Sequence, residues 1–139
     1  HNETVSERFS FIKEGKKIDP NDLPDHLKYS RSGKLIKSFS KVFFRLNRKL
    51  PSPTLVPGHS AFPIHPWLNR QITTREAARL QTFPDTYEFF GTKESQNKQV
   101  GNAFPVKAAE SFANIIYKAT KNNWTESTIS KHAKYSLVR

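Results

Sequence analysis

The chain has 139 residues, enough for one compact domain or a small domain with an extension. It carries a net charge of +11 at pH 7, with a pI near 10, which predicts a polyanionic partner. It contains no Cys, which excludes disulfides and any thiolate metal site and fits an intracellular protein; its five His show no metal-ligand spacing. Nine Pro against five Gly predict an irregular, turn-rich fold, and eleven Phe, four Tyr and two Trp supply its core. No apolar run approaches the ~20 residues needed to span a bilayer. The absence of Met and the start at His1 suggest a processed or excised segment.

Residues 1–27 are polar with weak periodicity. Within them Asp19-Pro-Asn-Asp-Leu-Pro-Asp25 reads as consecutive turns, with Ile18, Leu23 and Leu27 pinning the arm to a core. From Lys28 to Lys49 there are eight basic residues and no acid, a clustering that favours a phosphate-contacting surface. Ser30 to Gly33 is a predicted basic turn. Residues 35–46 carry the best strand signal: Ile36, Val42, Phe44 and Leu46 fall on one parity, and Lys37, Phe39, Lys41, Phe43 and Arg45 on the other. Pro51-Ser-Pro53 breaks this strand, and Thr54-Leu-Val56 is a second short strand before Pro57-Gly58. Phe62-Pro-Ile-His-Pro-Trp67 reads as an extended loop.

Thr73-Thr-Arg-Glu76 has the form of a capping box, in which Thr73 caps a helix running to about Gln81 and Glu76 reaches back to it. Phe83-Pro84-Asp85 ends that helix. Gln99 to Asn102 is expected to be a tight loop. A further helix starts near Pro105, with Val106, Ala109, Ala113 and Ile116 on its apolar stripe and Phe112 alongside. The tail beyond Lys118 is basic, with Glu126 its only acid.

Two blocks stand out. The first is Arg70-Gln-Ile-Thr-Thr-Arg-Glu-Ala-Ala-Arg-Leu-Gln-Thr-Phe-Pro-Asp85, and the second is Gln99-Val-Gly-Asn-Ala-Phe-Pro105. They resemble motifs IX and X of the DNA (cytosine-5)-methyltransferases. The family forms are Arg-x-Leu-Thr-x-Arg-Glu-x-Ala-Arg-Leu-Gln-x-Phe-Pro and Gln-x-Gly-Asn-Ala-Val-Pro-Pro. Ile72 replaces Leu in the first block; Phe104 replaces Val and Val106 the second Pro in the second. Pro51-Ser-Pro-Thr-Leu55 is similar to a segment that often precedes motif IX in the family. The likeness spans residues 42–117. The family's Gly-rich cofactor loop, Pro-Cys nucleophile, Glu-Asn-Val motif and paired-Arg motif are absent.

The resemblance implies the C-terminal, DNA-recognising part of an enzyme that transfers a methyl group from S-adenosylmethionine to cytosine in duplex DNA, in a bacterial restriction–modification system. Its chemistry requires a cysteine to add to the ring and a base extruded from the stack. This chain would therefore be inactive without an N-terminal catalytic domain or subunit bearing the Pro-Cys motif. The implied fold is α+β: a small irregular target recognition domain with short strands, then helices that complete a Rossmann-like α/β methyltransferase. Residues 1–69 would form the recognition region, 70–98 the motif IX helix and connector, 99–120 the motif X loop and packing helix, and 121–139 a basic tail. Gly101, Asn102 and Ala103 would border the cofactor. Lys41, Arg45, Arg48, Lys49, Thr54 and Leu55 would face DNA. Arg75, Glu76, Arg79 and Gln99 would be structural. The protein would be cytoplasmic and nucleoid-associated. The alternatives are a truncated, noncatalytic DNA-binding module and, last, an unrelated basic protein.

Overall fold

The computed structural model describes residues 3–39, 43–57 and 62–121. The chain divides into two compact units, His1–Ala103 and Phe104–Arg139. The first contains helix α1 (Glu3–Ser10), two 3-10 turns (Pro20–Asp22 and Asp25–Leu27), helix α2 (Thr74–Leu80) and helix α3 (Lys93–Asn102). The second contains helix α4 (Val106–Thr120).

The expected strands over 35–46 and 54–56 do not form among the described residues. Pairing is limited to isolated bridges: Lys17 with Phe44, Tyr29 with Leu35, Arg45 with Ile64, and Ile64 with Gln71. Proline explains why these contacts do not grow into a sheet. Ile64 joins two neighbours, donating its N–H to Phe44 O (2.8 Å) and accepting from Leu46 N–H (3.0 Å). Its flanking segment continues to Gln71 through His65 N–H to Arg70 O (2.9 Å) and Ile72 N–H to Pro63 O (3.0 Å). Pro63 and Pro66 lack the N–H that a longer ladder would need.

The period-two alternation survives without a strand. Phe44 and Leu46 pack into one cluster, with Leu55, Phe62, Ile72, Ala77, Ala78 and Val100. Phe43 packs into a second, with Phe9, Ile12 and Ile64. Both faces of residues 43–46 are thus covered, and segments from either side of residue 70 share the first cluster. The N-terminal arm is anchored as its apolar residues suggest: Leu23 and Leu27 are buried and Ile18 packs on the second cluster. The turns at Pro20–Asp22 and Asp25–Leu27 fall within the predicted run of turns, and Gly33 N–H bonds Ser30 O (2.9 Å) in the expected turn.

Helix α2 matches its expected start: Thr73 accepts from Glu76 N–H and Glu76 accepts from Thr73 N–H. It ends where Thr82 takes φ 59, a left-handed conformation, so that Phe83 N–H reaches Ala78 O (3.0 Å). Helix α3 packs against α2 and corrects the expected tight loop over 99–102. Thr92 caps it by accepting from Ser95 N–H (3.2 Å), and Glu94 pairs with Lys98 one turn on (3.1 Å). Pro105 is the N-cap of α4 rather than its first residue, and no residue of α4 is buried. No helix among the described residues is long and apolar enough to cross a membrane.

Gly101 lies in the last turn of α3 because nothing larger fits there. A Cβ at this position would sit 2.6 Å from Pro57 Cα and 2.7 Å from Pro57 N, contacts with backbone that no rotamer change relieves. Gly101→Ala is expected to destabilise the fold by about 1–3 kcal/mol through overpacking. A lowered urea midpoint in the absence of any ligand would register this; an unchanged midpoint would place the demand for glycine elsewhere.

Candidate nucleic-acid interface and cofactor loop

Arg45, expected on DNA, lies inside the protein at 5% exposure. Its Nε donates to Ile12 O (2.7 Å), Nη1 to His65 O (2.8 Å) and Leu68 O (3.0 Å), and Nη2 to Phe9 O and Asn69 Oδ1 (2.8 Å). The guanidinium therefore joins the end of α1 to the 65–69 loop. Burial lowers its pKa, yet five donors meeting this ring of acceptors keep it charged. As placed, it is a structural bolt with no donor left for a base edge. His65 helps to close the same loop, with Nδ1 accepting from Leu68 N–H (3.2 Å), and burial holds its pKa below the usual imidazole value.

Arg48 and Lys49 are at the surface. Arg48 meets Glu14 through both its backbone N–H (2.6 Å) and its Nε (3.1 Å), and its guanidinium lies 5.4 Å from the centre of the Trp67 ring. The backbone N–H of Arg48 and then its side chain hold the Glu14 carboxyl below the usual carboxylate pKa. Thr54 is exposed, whereas Leu55 turns inward at 5% exposure and belongs to the core, not to a DNA-facing surface. Lys41 lies outside the described residues.

The first motif block is a self-bonded scaffold. Arg70 grips Glu76 through two hydrogen bonds of 2.8 Å. With Thr73 N–H adding a third (2.7 Å), the Glu76 carboxyl falls from 4.5 to about 2, the Arg70 bonds being the main cause and outweighing burial. Arg75 donates to Tyr87 O (2.6 Å) and lies 5.6 Å from the Phe89 ring centre. Arg79 meets Asp85 through two bonds, of 2.8 and 3.0 Å. Gln99 donates to Phe90 O (2.9 Å), fastening the aromatic segment Tyr87–Phe90 to α3.

Four further residues share this work and were not singled out individually from sequence. Gln81 donates to Ala103 O (3.2 Å), Gln96 to Phe89 O (3.1 Å), and Thr74 Oγ1 to the buried Asn97 Oδ1 (2.7 Å). Gln81 sits inside the recognisable first block; Gln96 and Asn97 had only their spacing along an unexpected helix to mark them. Of the residues expected to border a cofactor, Asn102 is exposed at the end of α3, and Ala103 is extended (φ −73°, ψ 146°) with its carbonyl held by Gln81. An exposed amide beside a fixed extended backbone fits a ligand with polar edges. Gly101 does not open that site, since its missing side chain makes room for Pro57.

A capped motif helix braced by arginine and glutamine bonds packs against α3, whose Gly-Asn end leads into extended Ala103. Residues 1–118 match the profile of the family described as C-5 cytosine-specific DNA methylase, and the chain belongs to that family. It is 37% identical over 122 residues to Type II methyltransferase M1.HphI of Haemophilus parahaemolyticus, covering 88% of this chain and 30% of that protein. Against Type II methyltransferase M.BbvI of Brevibacillus brevis, identity is 33% over 140 residues, covering 94% of this chain and 37% of the relative. The chain thus spans about a third of the length of these curated relatives. Type II methyltransferase M.AquIB of Picosynechococcus sp. differs in extent: 39% identity over 112 residues covers 70% of this chain and 80% of that protein.

Arg45→Ala would strand several buried carbonyls, and Arg45→Lys cannot reproduce the fork; the alanine variant is expected to lose about 3–5 kcal/mol of stability, read from urea denaturation. Loss of less than ~1 kcal/mol would mean that water replaces the guanidinium. Glu76 is depressed on folding, so its contribution is present in full above the unfolded value near 4.5 and is lost as pH falls toward 2. Glu76→Gln should therefore flatten the stability-against-pH curve between those limits. A steep acid limb in the variant equal to the wild type would assign it to other carboxylates.

Proposed function

We propose that this chain is the DNA-recognition part of a DNA (cytosine-5)-methyltransferase of a bacterial restriction–modification system, acting on duplex DNA in the cytoplasm. The observation that carries the reading is the family match over residues 1–118, with both motif blocks at the junction of α2 and α3. The chain contains no Cys, so the nucleophile that adds to cytosine must come from a catalytic part bearing the Pro-Cys motif. S-adenosylmethionine, when bound, supplies the methyl group. Asn102 would hydrogen-bond its polar edge, with Ala103 backbone alongside and Gln81 fixing that loop. Arg48, Lys49 and Thr54, all exposed, would meet the DNA. Most such contacts go to phosphate and fix the register in which a base is presented.

Helix α4 has an unusual burden of exposed apolar side chains: Phe112, Ile115, Ile116 and Tyr117 are each 58–64% exposed. That face suits packing on the catalytic part. The similarity to M.AquIB, a relative of comparable length, favours a reading in which the two parts can be separate chains.

The reading is tested by combining the full chain with a catalytic part that carries the Pro-Cys motif and measuring methyl transfer to duplex DNA. The expected outcome is activity in the mixture that neither component has alone, reduced by Asn102→Ala through a raised KM for S-adenosylmethionine. Binding to duplex DNA without any stimulation of methyl transfer would instead support the noncatalytic binding module.

A further inference from the structure

The fold brings a second group of cations to the surface around Arg48. Residues 15–18 run antiparallel to 43–45: Gly15 N–H donates to Arg45 O (3.0 Å), Arg45 N–H to Lys16 O (3.0 Å) and Ile18 N–H to Phe43 O (3.0 Å). Just before this pairing the chain turns, with Lys16 N–H on Lys13 O (3.0 Å). Gly15 takes φ +75 in that turn, and a Cβ there would come within 3.0 Å of Asn47 Nδ2. The turn consequently lies against the Asn47–Lys49 stretch. Lys13, Lys16, Lys17, Arg48 and Lys49 are all exposed, and Glu14 is the one carboxylate within these two segments.

Beside this strip stands Trp67, 62% exposed, with Leu68 next to it at 42%. Three features hold the indole in place. The carbonyls of the neighbouring residues His65 and Leu68 are fixed by buried Arg45, and the Arg48 guanidinium lies against the ring. The His65 ring packs edge-on against the indole, 4.6 Å between centres. Trp67 and Leu68 thus place adjacent exposed apolar side chains beside Arg48 on a braced loop. The occupant follows from charge complementarity, since five clustered cations against one carboxylate suit a polyanion.

We infer that Lys13, Lys16, Lys17, Arg48 and Lys49 form one continuous phosphate-binding strip for duplex DNA, with Trp67 as its apolar edge against the sugars. This rests on the DNA-recognition reading above and adds the N-terminal arm and Trp67 to it. Lysines that are distant in sequence from the basic run at 28–49 thereby join its last two cations through backbone pairing. Phosphate contacts release counterions, so each contributes about −0.9 to the slope of log K against log salt. Trp67 contributes a part that salt does not screen.

The test is binding of the full chain to a 20-base-pair duplex across a salt series, with thermal melting of each variant to confirm folding. Lys16→Ala/Lys17→Ala is expected to weaken binding about tenfold at low salt and to make the slope shallower by ~1–2. Lys118→Ala/Lys121→Ala, which removes the same charge from the end of α4, should leave the slope nearly as it was. Trp67→Ala should weaken binding about five- to tenfold at every salt concentration with the slope unchanged, and Trp67→Phe should recover most of the loss. If both lysine pairs reduce the slope equally, the charge acts diffusely and the strip is overturned. If the arm and Trp67 variants bind DNA as the wild type does but fail to support methyl transfer with the catalytic part, this surface contacts protein and the inference is overturned. If the wild type does not bind the duplex at low salt, it is the DNA-recognition reading itself that fails.

Discussion

The first unit is organised around one buried cation. Residues 9–12, 43–46 and 65–69 approach each other without a sheet to pair their backbones, so several carbonyls point into protein rather than water. An unpaired buried carbonyl costs about 1–3 kcal/mol, and Arg45 answers four of them together with the Asn69 side-chain oxygen. A planar fork with five donors suits this task; lysine would present a point charge to acceptors spread around a plane. Desolvating a lone charge is ordinarily prohibitive, and here it is balanced only because the acceptors are numerous and fixed. The same arrangement determines where the surface lies, because the loop tied down by Arg45 is the loop that holds Trp67 outward.

Strong local chemistry was legible in the sequence. The Thr73 capping box, the turns across Asp19–Asp25, the burial of Leu23 and Leu27 and the helix after Pro105 are each set by a few adjacent residues, and each formed. The alternation over residues 43–46 was also read correctly as two faces. Its meaning was not, because parity shows which side chains part company and not which face meets water. Arg45 falls on the parity that carries Lys37 and Lys41, yet tertiary contacts from residues 20 to 36 positions away enclose it. The strands failed for a reason that lies in their partner, since Pro63 and Pro66 end the pairing at Ile64. Helix α3 was obscured by its Gly-Asn end, which reads as a turn; five good helix formers among Lys93–Val100 and a Thr92 cap decided the matter, and at Gly101 the absence of a side chain leaves room for Pro57.

The residues that make the family recognisable are largely engaged with one another. Arg70 with Glu76, Arg79 with Asp85, Arg75 with Tyr87 and Gln99 with Phe90 each close a local contact between α2, the aromatic segment and α3. The exposed Arg79–Asp85 pair contributes little by itself, and the part-buried Arg70–Glu76 pair more. Their value is geometric: bidentate pairs and glutamine amides fix the orientation of a segment rich in Phe and Tyr, and Gln81 carries that order to Ala103 beside the proposed cofactor edge. The residues that identify the family are therefore distinct from the exposed Arg48 and Lys49 that the proposal assigns to DNA.

The exposed face of α4 follows the same logic of division. A helix with Phe112, Ile115, Ile116 and Tyr117 all more than half exposed has a strong apolar stripe and no buried residue to anchor it. Burying such side chains yields about 1.5–3 kcal/mol each, a gain large enough to drive association but available only when a partner surface is present. The chain also lacks the thiol on which its family's chemistry depends. Both deficits have one remedy. Under the proposed function, a catalytic part would supply both a surface for α4 and the cysteine. Packing energy from the apolar face would then drive that association.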